Sequence, residues 1–175
     1  YAYSPDSALK FFNDSEFPKT RSVIISSSKN ESQFAYIISA YLTRMGIKST
    51  VKLVPNWKPE KIGKNADWDI HLGSWGNSTL DPVGILVPKF KSAARGNFSG
   101  YSNKQVDKLF FLAEGTLDSG KRAGYYKKIQ EIIHRDVPMI FGYAAEDFYG
   151  VRNRVKNFIP SSSGMIDMHD VSVDR

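Results

Sequence analysis

Short apolar segments alternate with a helical segment between residues 23 and 72, and this order restricts the fold more than any other feature. Residues 23–25 are apolar and predict a strand. Residues 47–53 and 68–72 show the alternation of a half-buried strand. Between the first two strands lies a helical repeat that ends at Gly46, with these apolar side chains at helical spacing: Phe34, Ile37, Ile38, Tyr41, Leu42 and Met45. Strands in this order around a helix predict an α/β fold with parallel neighbours.

The second half predicts helices first and strands afterwards. Asn103 caps one helix, with Val106, Leu109, Phe110 and Ala113 inward. Asp118 or Ser119 begins another, with Tyr126, Ile129 and Ile133 inward, and Pro138 ends it. Residues 139–144 and 148–151 predict two further strands. The expected architecture is therefore a mixed sheet flanked by helices.

Two shorter helices complete the prediction. Ser4, Pro5 and Asp6 read as an N-cap, a proline at the first helical position and an acid in the first turn, with Ala8, Leu9 and Phe12 inward. Residues 57–62 predict a brief helix before the third strand.

Composition limits the class of protein. The 175 residues, 41% hydrophobic and 24% charged, suit one globular domain or two small lobes that share a core. No apolar run reaches the length of about 20 residues that a membrane helix needs. The absence of cysteine excludes disulfides and thiolate zinc sites. The net charge of +6 is dispersed, which favours solvated faces but leaves a basic nucleic-acid-binding domain as an alternative.

The sequence contains no pattern that is typical of an enzyme. His71, His134 and His169 are the only histidines, and none has a second ligand at metal-binding spacing. His169 is the better metal candidate, in a tail expected to be solvated. Phosphate-binding and serine-hydrolase motifs are absent. We therefore expect no catalysis, no metal and no cofactor; an enzyme would have to use Asp81 with His71, the only titratable pair near the loop described next.

Residues 73–82 form a loop of small polar residues that directly follows the third predicted strand. A loop at the end of a strand presents backbone donors to a ligand, and Trp75 adds an aromatic surface. The alternative interpretation is that Trp75 covers the edge of the core and the rest is a plain turn. The candidate ligand-binding residues in this loop are Trp75, Gly76, Asn77, Ser78 and Asp81.

A series of motifs in fixed order resembles the C-terminal half of the family 5 extracellular solute-binding proteins, the dipeptide, oligopeptide and nickel receptors of ABC importers. The motifs span nearly the whole chain: Tyr3-Ser4-Pro5-Asp6, Phe17-Pro18, Met45-Gly46-Ile47-Lys48, Trp75, Asp81-Pro82, Asn97-Phe98-Ser99-Gly100-Tyr101, Val106-Asp107-Lys108-Leu109, Lys121-Arg122 and Asp136-Val137-Pro138. The resemblance implies a periplasmic-binding-protein-like fold in which residues 1–175 form a single C-terminal lobe. It also implies that about residues 138–175 cross back toward an N-terminal lobe that is missing before Tyr1.

The resemblance also implies roles for particular residues. An acid that captures the peptide ammonium group in relatives corresponds to Ser78, which is neutral. Asp81 either turns inward to replace it or holds the turn. The loop after the first strand, where dipeptide receptors carry an arginine for the peptide carboxylate, here contributes Ser27, Ser28 and Lys29; Lys29 either replaces that arginine or is an exposed loop lysine. Residues 97–99 and 161–164 are expected to be structural loops that could add donors.

The function expected from the resemblance is capture of a peptide-like solute and its delivery to ABC transporter permease subunits. The alternatives are a receptor for a neutral polar solute such as an oligosaccharide and, from another class, the nucleic-acid-binding domain. The resemblance implies a periplasmic or extracellular location, with tethering through a missing N-terminal anchor, as in a lipoprotein.

Overall fold

The computed structural model describes residues 3–55, 65–77 and 79–174, which divide into two compact units, Tyr1–Ser74 and Trp75–Arg175. The first unit contains α1 (Pro5–Asp14), β1 (Val23–Ser27), α2 (Ser32–Arg44), β2 (Ser49–Leu53) and β3 (Ile70–His71). The second contains α3 (Val83–Phe90), α4 (Lys104–Glu114), α5 (Ser119–Asp136), β4 (Val155–Lys156) and β5 (Ser172–Val173). The helix predicted at residues 57–62 and the candidate residue Ser78 lie outside the described residues.

The first unit is built on a three-stranded parallel sheet of order β2-β1-β3. Ile25 in the central strand pairs with Val51 of β2 and with Ile70 of β3. The predicted α/β class and the parallel arrangement of the first three strands are therefore confirmed. The central strand β1 is paired along both of its edges, and Ile25 is fully buried.

The core of the first unit is small and lies between the sheet and α2. Val23, Ile25, Ala35 and Ile47 are its buried members. Partly buried side chains pack around them, among them Phe12 of α1 and Ile38, Leu42 and Met45 of α2 or its end. The predicted cap of α1 is also present, because Ser4 Oγ accepts a hydrogen bond of 3.4 Å from Ser7 N.

The predicted helix α2 is present, but only part of its apolar repeat packs against the sheet. Phe34, Ile37 and Tyr41 are exposed, whereas the face in contact with the sheet runs through Ala35, Ile38 and Leu42. Residues three or four apart share one helix face, and a three-stranded sheet covers only a narrow apolar strip. In α1, the predicted inward residue Ala8 is also exposed.

The second unit is held together by α4 and α5, both of which begin as predicted. The Asn103 side chain accepts hydrogen bonds from Gln105 N and Val106 N, and the Asp118 side chain accepts one from Lys121 N. The helices enclose a continuous apolar core: Phe90, Val106, Phe110, Ala113, Tyr126, Ile129, Ile132 and Ile133. The predicted inward residues of both helices are confirmed, with Leu109 packed at the edge.

Helix α3 was not predicted from the sequence. It begins directly after Pro82 and contains Gly84 and Pro88, three residues that normally weaken the prediction of a helix. Pro82 is tolerated because the start of a helix needs no donor there. The helix ends two residues after Pro88, so the cost of that proline is confined to its last turn.

The strands predicted at residues 139–144 and 148–151 are wrong for the part of the chain that the structure describes. Residues 138–154 contain no strand there; instead the short β4 pairs antiparallel with β5, which was not predicted. Isolated strands leave their backbone donors and acceptors unpaired, so an apolar pattern forms a strand only beside a partner. Many large apolar side chains of residues 140–173 are consequently exposed, including Ile140, Phe148 and Ile159.

None of the described helices is both long enough and apolar enough to cross a membrane.

Candidate functional site

The carboxyl ends of β1 and β3 lie side by side at one edge of the parallel sheet of the first unit. In the sheet, β2 lies on one side of β1, and β3, the next strand along the chain, lies on the other side. The direction in which strands are added therefore reverses at β1. In open parallel sheets ligands bind where the direction reverses, outside the carboxyl ends of the strands. Ser26 of β1 and His71 of β3 are direct register partners at this point. The geometry therefore places a candidate site beside the segment that follows β1.

The serine segment, residues 26–29, occupies the carboxyl end of β1. Ser27 is fully buried and its hydroxyl donates to Ser28 O over 3.0 Å. Ser28 Oγ accepts from Glu31 N at 3.4 Å. Lys29 is exposed. Of the predicted residues in this segment, Lys29 is exposed and Ser28 is partly buried, whereas Ser27 is fully buried.

Three further polar side chains, those of Glu31, His71 and Ser74, lie at the same edge and were not among the ligand-binding candidates. Ser74 Oγ donates to Glu31 Oε1 across 3.5 Å, and Glu31 directly precedes α2. His71 Nδ1 lies 3.2 Å from Ser26 Oγ, and its ring packs near Trp68. Their signal in the sequence was positional, since each directly adjoins the carboxyl end of a strand or the start of the following helix.

In the second unit, the indole of Trp75 is hydrogen-bonded to α3, the helix that follows its loop. Trp75 Nε1 donates to Gly84 O in α3 at 3.0 Å. A Cβ added to Gly96 would lie 3.1 Å from the indole, so residue 96 closes one side of the ring. The ring is thus partly buried rather than standing free, and its donor is already used.

The polar groups of Asn77, Thr79 and Asp81 bond to one another in the described part of the turn that follows Trp75. Asn77 Nδ2 donates to Asp81 O at 2.8 Å, and Thr79 Oγ1 donates to Asn77 Oδ1 at 2.9 Å. A Cβ on Gly84 would lie only 2.2 Å from Asn77 Oδ1. The turn therefore packs against α3 at a point where only glycine fits. Gly76, by contrast, is exposed and has open space around its Cα.

Asp81 has two partners inside the protein. Its Oδ1 accepts from Val83 N at 2.8 Å and from Arg122 of α5 at 2.7 Å. The hydrogen bond from Arg122, followed by that from Val83 N, lowers the pKa of Asp81 below its ordinary value.

Lys89 is the least expected side chain near this turn. It is only 9% exposed, and its Nζ lies 4.4 Å from the ring centre of Trp75 and 4.9 Å from that of Phe98. Burial lowers the pKa of the amine, because an ammonium loses hydration there. A cation gains roughly 0.5–2 kcal/mol from each aromatic face that it contacts, which offsets part of that loss.

The two remaining loops are organised internally. Asn97 is buried, and its amide donates to Lys91 O and Tyr101 O while its Oδ1 accepts from Tyr101 N. In residues 161–164 the hydroxyls of Ser161 and Ser163 bond to each other at 2.7 Å. Both arrangements stabilise turns.

Within the described residues, no three potential ligands are grouped to hold a metal ion. His169 is exposed, and its Nδ1 lies 3.3 Å from Asp170 Oδ1.

Comparisons with known proteins find curated binding proteins among the relatives of this chain. No family model matches the chain. Heme-binding protein A of Haemophilus influenzae is 27% identical over 184 residues, which cover 99% of this chain and 34% of that protein. The dipeptide-binding protein of Escherichia coli is 23% identical over the same length, with 99% and 34% covered. The chain therefore spans about a third of the length of these curated relatives.

Structural comparison supports the same fold. The oligopeptide-binding protein AppA of Bacillus subtilis, solved with a nonapeptide, matches 99% of this chain and 38% of its own with a TM-score of 0.70 and 18% identity. These relatives are binding proteins by name, and the names give no support to the oligosaccharide or nucleic-acid alternatives. The resemblance that the motifs indicated is confirmed: the chain is a homologue of the family 5 extracellular solute-binding proteins.

Proposed function

We propose that this chain forms part of the substrate-binding component of an ABC importer, which captures a peptide-like solute and delivers it to a membrane permease. The observation that carries the proposal is the similarity to a dipeptide-binding protein over 99% of the chain. The parallel sheet adds support, since it presents polar side chains at the edge where ligands bind in such sheets. Binding without catalysis suits the absence of any motif for covalent or metal chemistry in the sequence.

The proposed ligand-binding residues come from both units. In the first unit they are Ser27, Ser28 and Lys29, of which Lys29 is exposed and Ser28 partly buried. In the second they are Trp75, Gly76, Asn77, Ser78 and Asp81. Because the indole donor, the Asn77 amide and the Asp81 carboxylate have partners in the protein, these three groups maintain the shape of the site. We call the surface formed by the five second-unit residues just named the ligand wall, or the Trp75 wall. Exposed Gly76 is open to the solute, and Ser78, which lies outside the described residues, is proposed from the resemblance alone.

The longer protein would consist of two lobes that close over the solute, with this chain as the C-terminal lobe. Residues 138–175 would cross toward the other lobe, which is consistent with the many exposed apolar side chains in this segment. Two further relatives carry the word periplasmic in their names. We propose a periplasmic or extracellular location with an N-terminal membrane tether.

The test is a thermal-shift screen of the full-length protein against di- to pentapeptides, neutral oligosaccharides and divalent metal ions, followed by calorimetric titration. A bound solute raises the melting temperature in proportion to its concentration over the dissociation constant. We expect peptides to produce the largest shifts. A screen in which only oligosaccharides or only metal ions stabilise the protein would contradict the proposed ligand class.

Replacement of Gly76 provides a residue-level check on the screen. Gly76→Trp fills the open space beside the turn and should weaken peptide binding without lowering the melting temperature of the free protein. Trp placed at exposed Gly150, which is also surrounded by open space, is the matched control. Equal affinity in both variants would remove this turn from the ligand wall.

A further inference from the structure

Lys89 of α3 carries a positive charge that the described protein does not neutralise. Its side chain is nine-tenths buried, and within the described residues its ammonium forms no ion pair or hydrogen bond. Its contacts are the faces of Trp75 and Phe98, at 4.4 and 4.9 Å. Lysine is almost never this buried unless it is paired.

Without a nearby anion, the desolvation of the Lys89 ammonium costs more free energy than its aromatic contacts return. Removing an ammonium from water costs several kcal/mol even after the protein relaxes. Two aromatic faces return only about 0.5–2 kcal/mol each. The lowered pKa of Lys89 has the same origin, since burial disfavours the charged form. An anionic group beside the ammonium would restore the balance, because charge-assisted hydrogen bonds are about twice as strong as neutral ones.

The charge of Lys89 lies next to the proposed ligand wall. The ammonium lies over the indole of Trp75, the aromatic residue of that wall. The same turn has no free acid among its described residues, because Asp81 is held by Arg122. Local charge at this wall is therefore positive.

We propose that Lys89 is a specificity-determining residue that recognises a carboxylate group of the transported solute at the Trp75 wall. The inference rests on the proposed solute-binding function and specifies its substrate class: a solute that presents a carboxylate, rather than an ammonium group, to this part of the site. The aromatic pair Trp75 and Phe98 holds the amine in place, and the solute provides the counter-charge.

The test compares each peptide as its free acid and as its C-terminal amide. Full-length wild-type protein is titrated calorimetrically with di- to pentapeptides in both forms and with simple non-peptide carboxylates. We expect the free acids to bind at least about tenfold more tightly than the amides. Lys89→Met, which keeps the approximate length of the side chain and removes the charge, should reduce that ratio to about twofold or less.

Two further variants separate recognition from structure. Lys89→Arg keeps the charge and should keep the preference for acids. Lys108→Met makes the same substitution at an exposed position of α4 and should change nothing. If Lys89→Met does not fold, Lys89→Gln takes its place. A ratio near one in wild-type protein, or a preference that survives loss of the charge, overturns the inference.

The outcomes also distinguish the inference from the proposed function. Peptides that bind equally well as acids and amides support the function and overturn the role of Lys89. Non-peptide carboxylates that bind through Lys89 while no peptide does would refute the peptide class and support that role. A complete lack of binding contradicts both.

Discussion

Arg122 of α5 donates a hydrogen bond of 2.7 Å to Asp81 Oδ1, and the same carboxylate oxygen accepts from the backbone N–H of Val83 at the start of α3. One acid thus joins two helices and the turn that follows Trp75. The side chains that meet here are 41 residues apart in sequence, so the contact depends on the folded second unit. The turn is consequently held by tertiary structure rather than by its local sequence alone.

The first prediction concerns the pH dependence of this contact. The pKa of Asp81 lies below its ordinary value of 3.8, so its contribution is complete above about pH 3.8 and is lost as pH falls through the folded-state pKa. Asp81→Asn keeps a capping side chain but removes the charge. The melting temperature of wild-type protein should exceed that of the variant at neutral pH, and the difference should shrink below about pH 3.8.

The control for this prediction is Asp147→Asn, at an exposed position in the segment after α5. Its melting temperature should follow that of wild-type protein at every pH. A difference between wild type and Asp81→Asn that stays constant down to about pH 2.5 would show that the charge of Asp81 does not stabilise the fold.

The second prediction tests the close packing of the turn on α3. Gly84→Ala places a Cβ 2.2 Å from Asn77 Oδ1 and 2.8 Å from Thr79 Oγ1. Alanine is otherwise favoured over glycine in a helix by about 1 kcal/mol. We nevertheless expect a loss of about 1–3 kcal/mol in the free energy of unfolding, measured with urea, because the turn must move.

Gly76→Ala is the matched control, since nothing lies within 4 Å of its added Cβ; its effect should stay within about 0.5 kcal/mol. The double variant Asn77→Ala/Gly84→Ala should recover part of the loss, because the clashing amide is gone. A Gly84→Ala protein as stable as wild type would mean that the turn does not pack as described.

Local signals in the sequence were sufficient for much of the fold. The caps at Asn103 and Asp118 and the apolar periodicity of α4 and α5 predicted both helices, since these signals act within a few residues. Helix α3 was missed because Pro82, Gly84 and Pro88 are weak helix formers whose positions are compensated by packing. The strands expected at residues 139–151 depended on a partner strand, which periodicity alone does not supply.

The candidate site was less predictable than the fold, for a similar reason. Loop position alone pointed to Trp75 and Asn77, but not to the partners that occupy their polar groups. Lys89 was not identified at all, because lysine is exposed by default and its burial follows from contacts with residues 14 positions before and nine after it. Glu31 likewise gains its contact with Ser74 only when the sheet forms.

The third prediction concerns Asn97, which is 3% exposed. Its amide donates to Tyr101 O at 2.7 Å and Lys91 O at 3.1 Å, and its Oδ1 accepts from Tyr101 N at 3.0 Å. Asn97→Ala leaves these backbone groups without their partner, so we expect a loss of about 2–4 kcal/mol in the free energy of unfolding. Asn30→Ala, at an exposed position, should change it by less than about 0.5 kcal/mol. Similar losses in the two variants would refute a special role for Asn97.

The last prediction concerns Val137, which ends α5 with a φ of 48°. Left-handed backbone costs a residue with a Cβ about 1–2 kcal/mol, whereas glycine adopts it freely. The Val137 side chain is 46% exposed, so little apolar contact is lost on its removal. Glycine also loses about 0.5–1 kcal/mol more conformational entropy on folding. We therefore expect Val137→Gly to raise the free energy of unfolding by about 0.5–1 kcal/mol, measured with urea. Val151→Gly, at a comparably exposed valine without positive φ, should lower it. If both substitutions lower stability equally, the left-handed conformation at Val137 carries no strain.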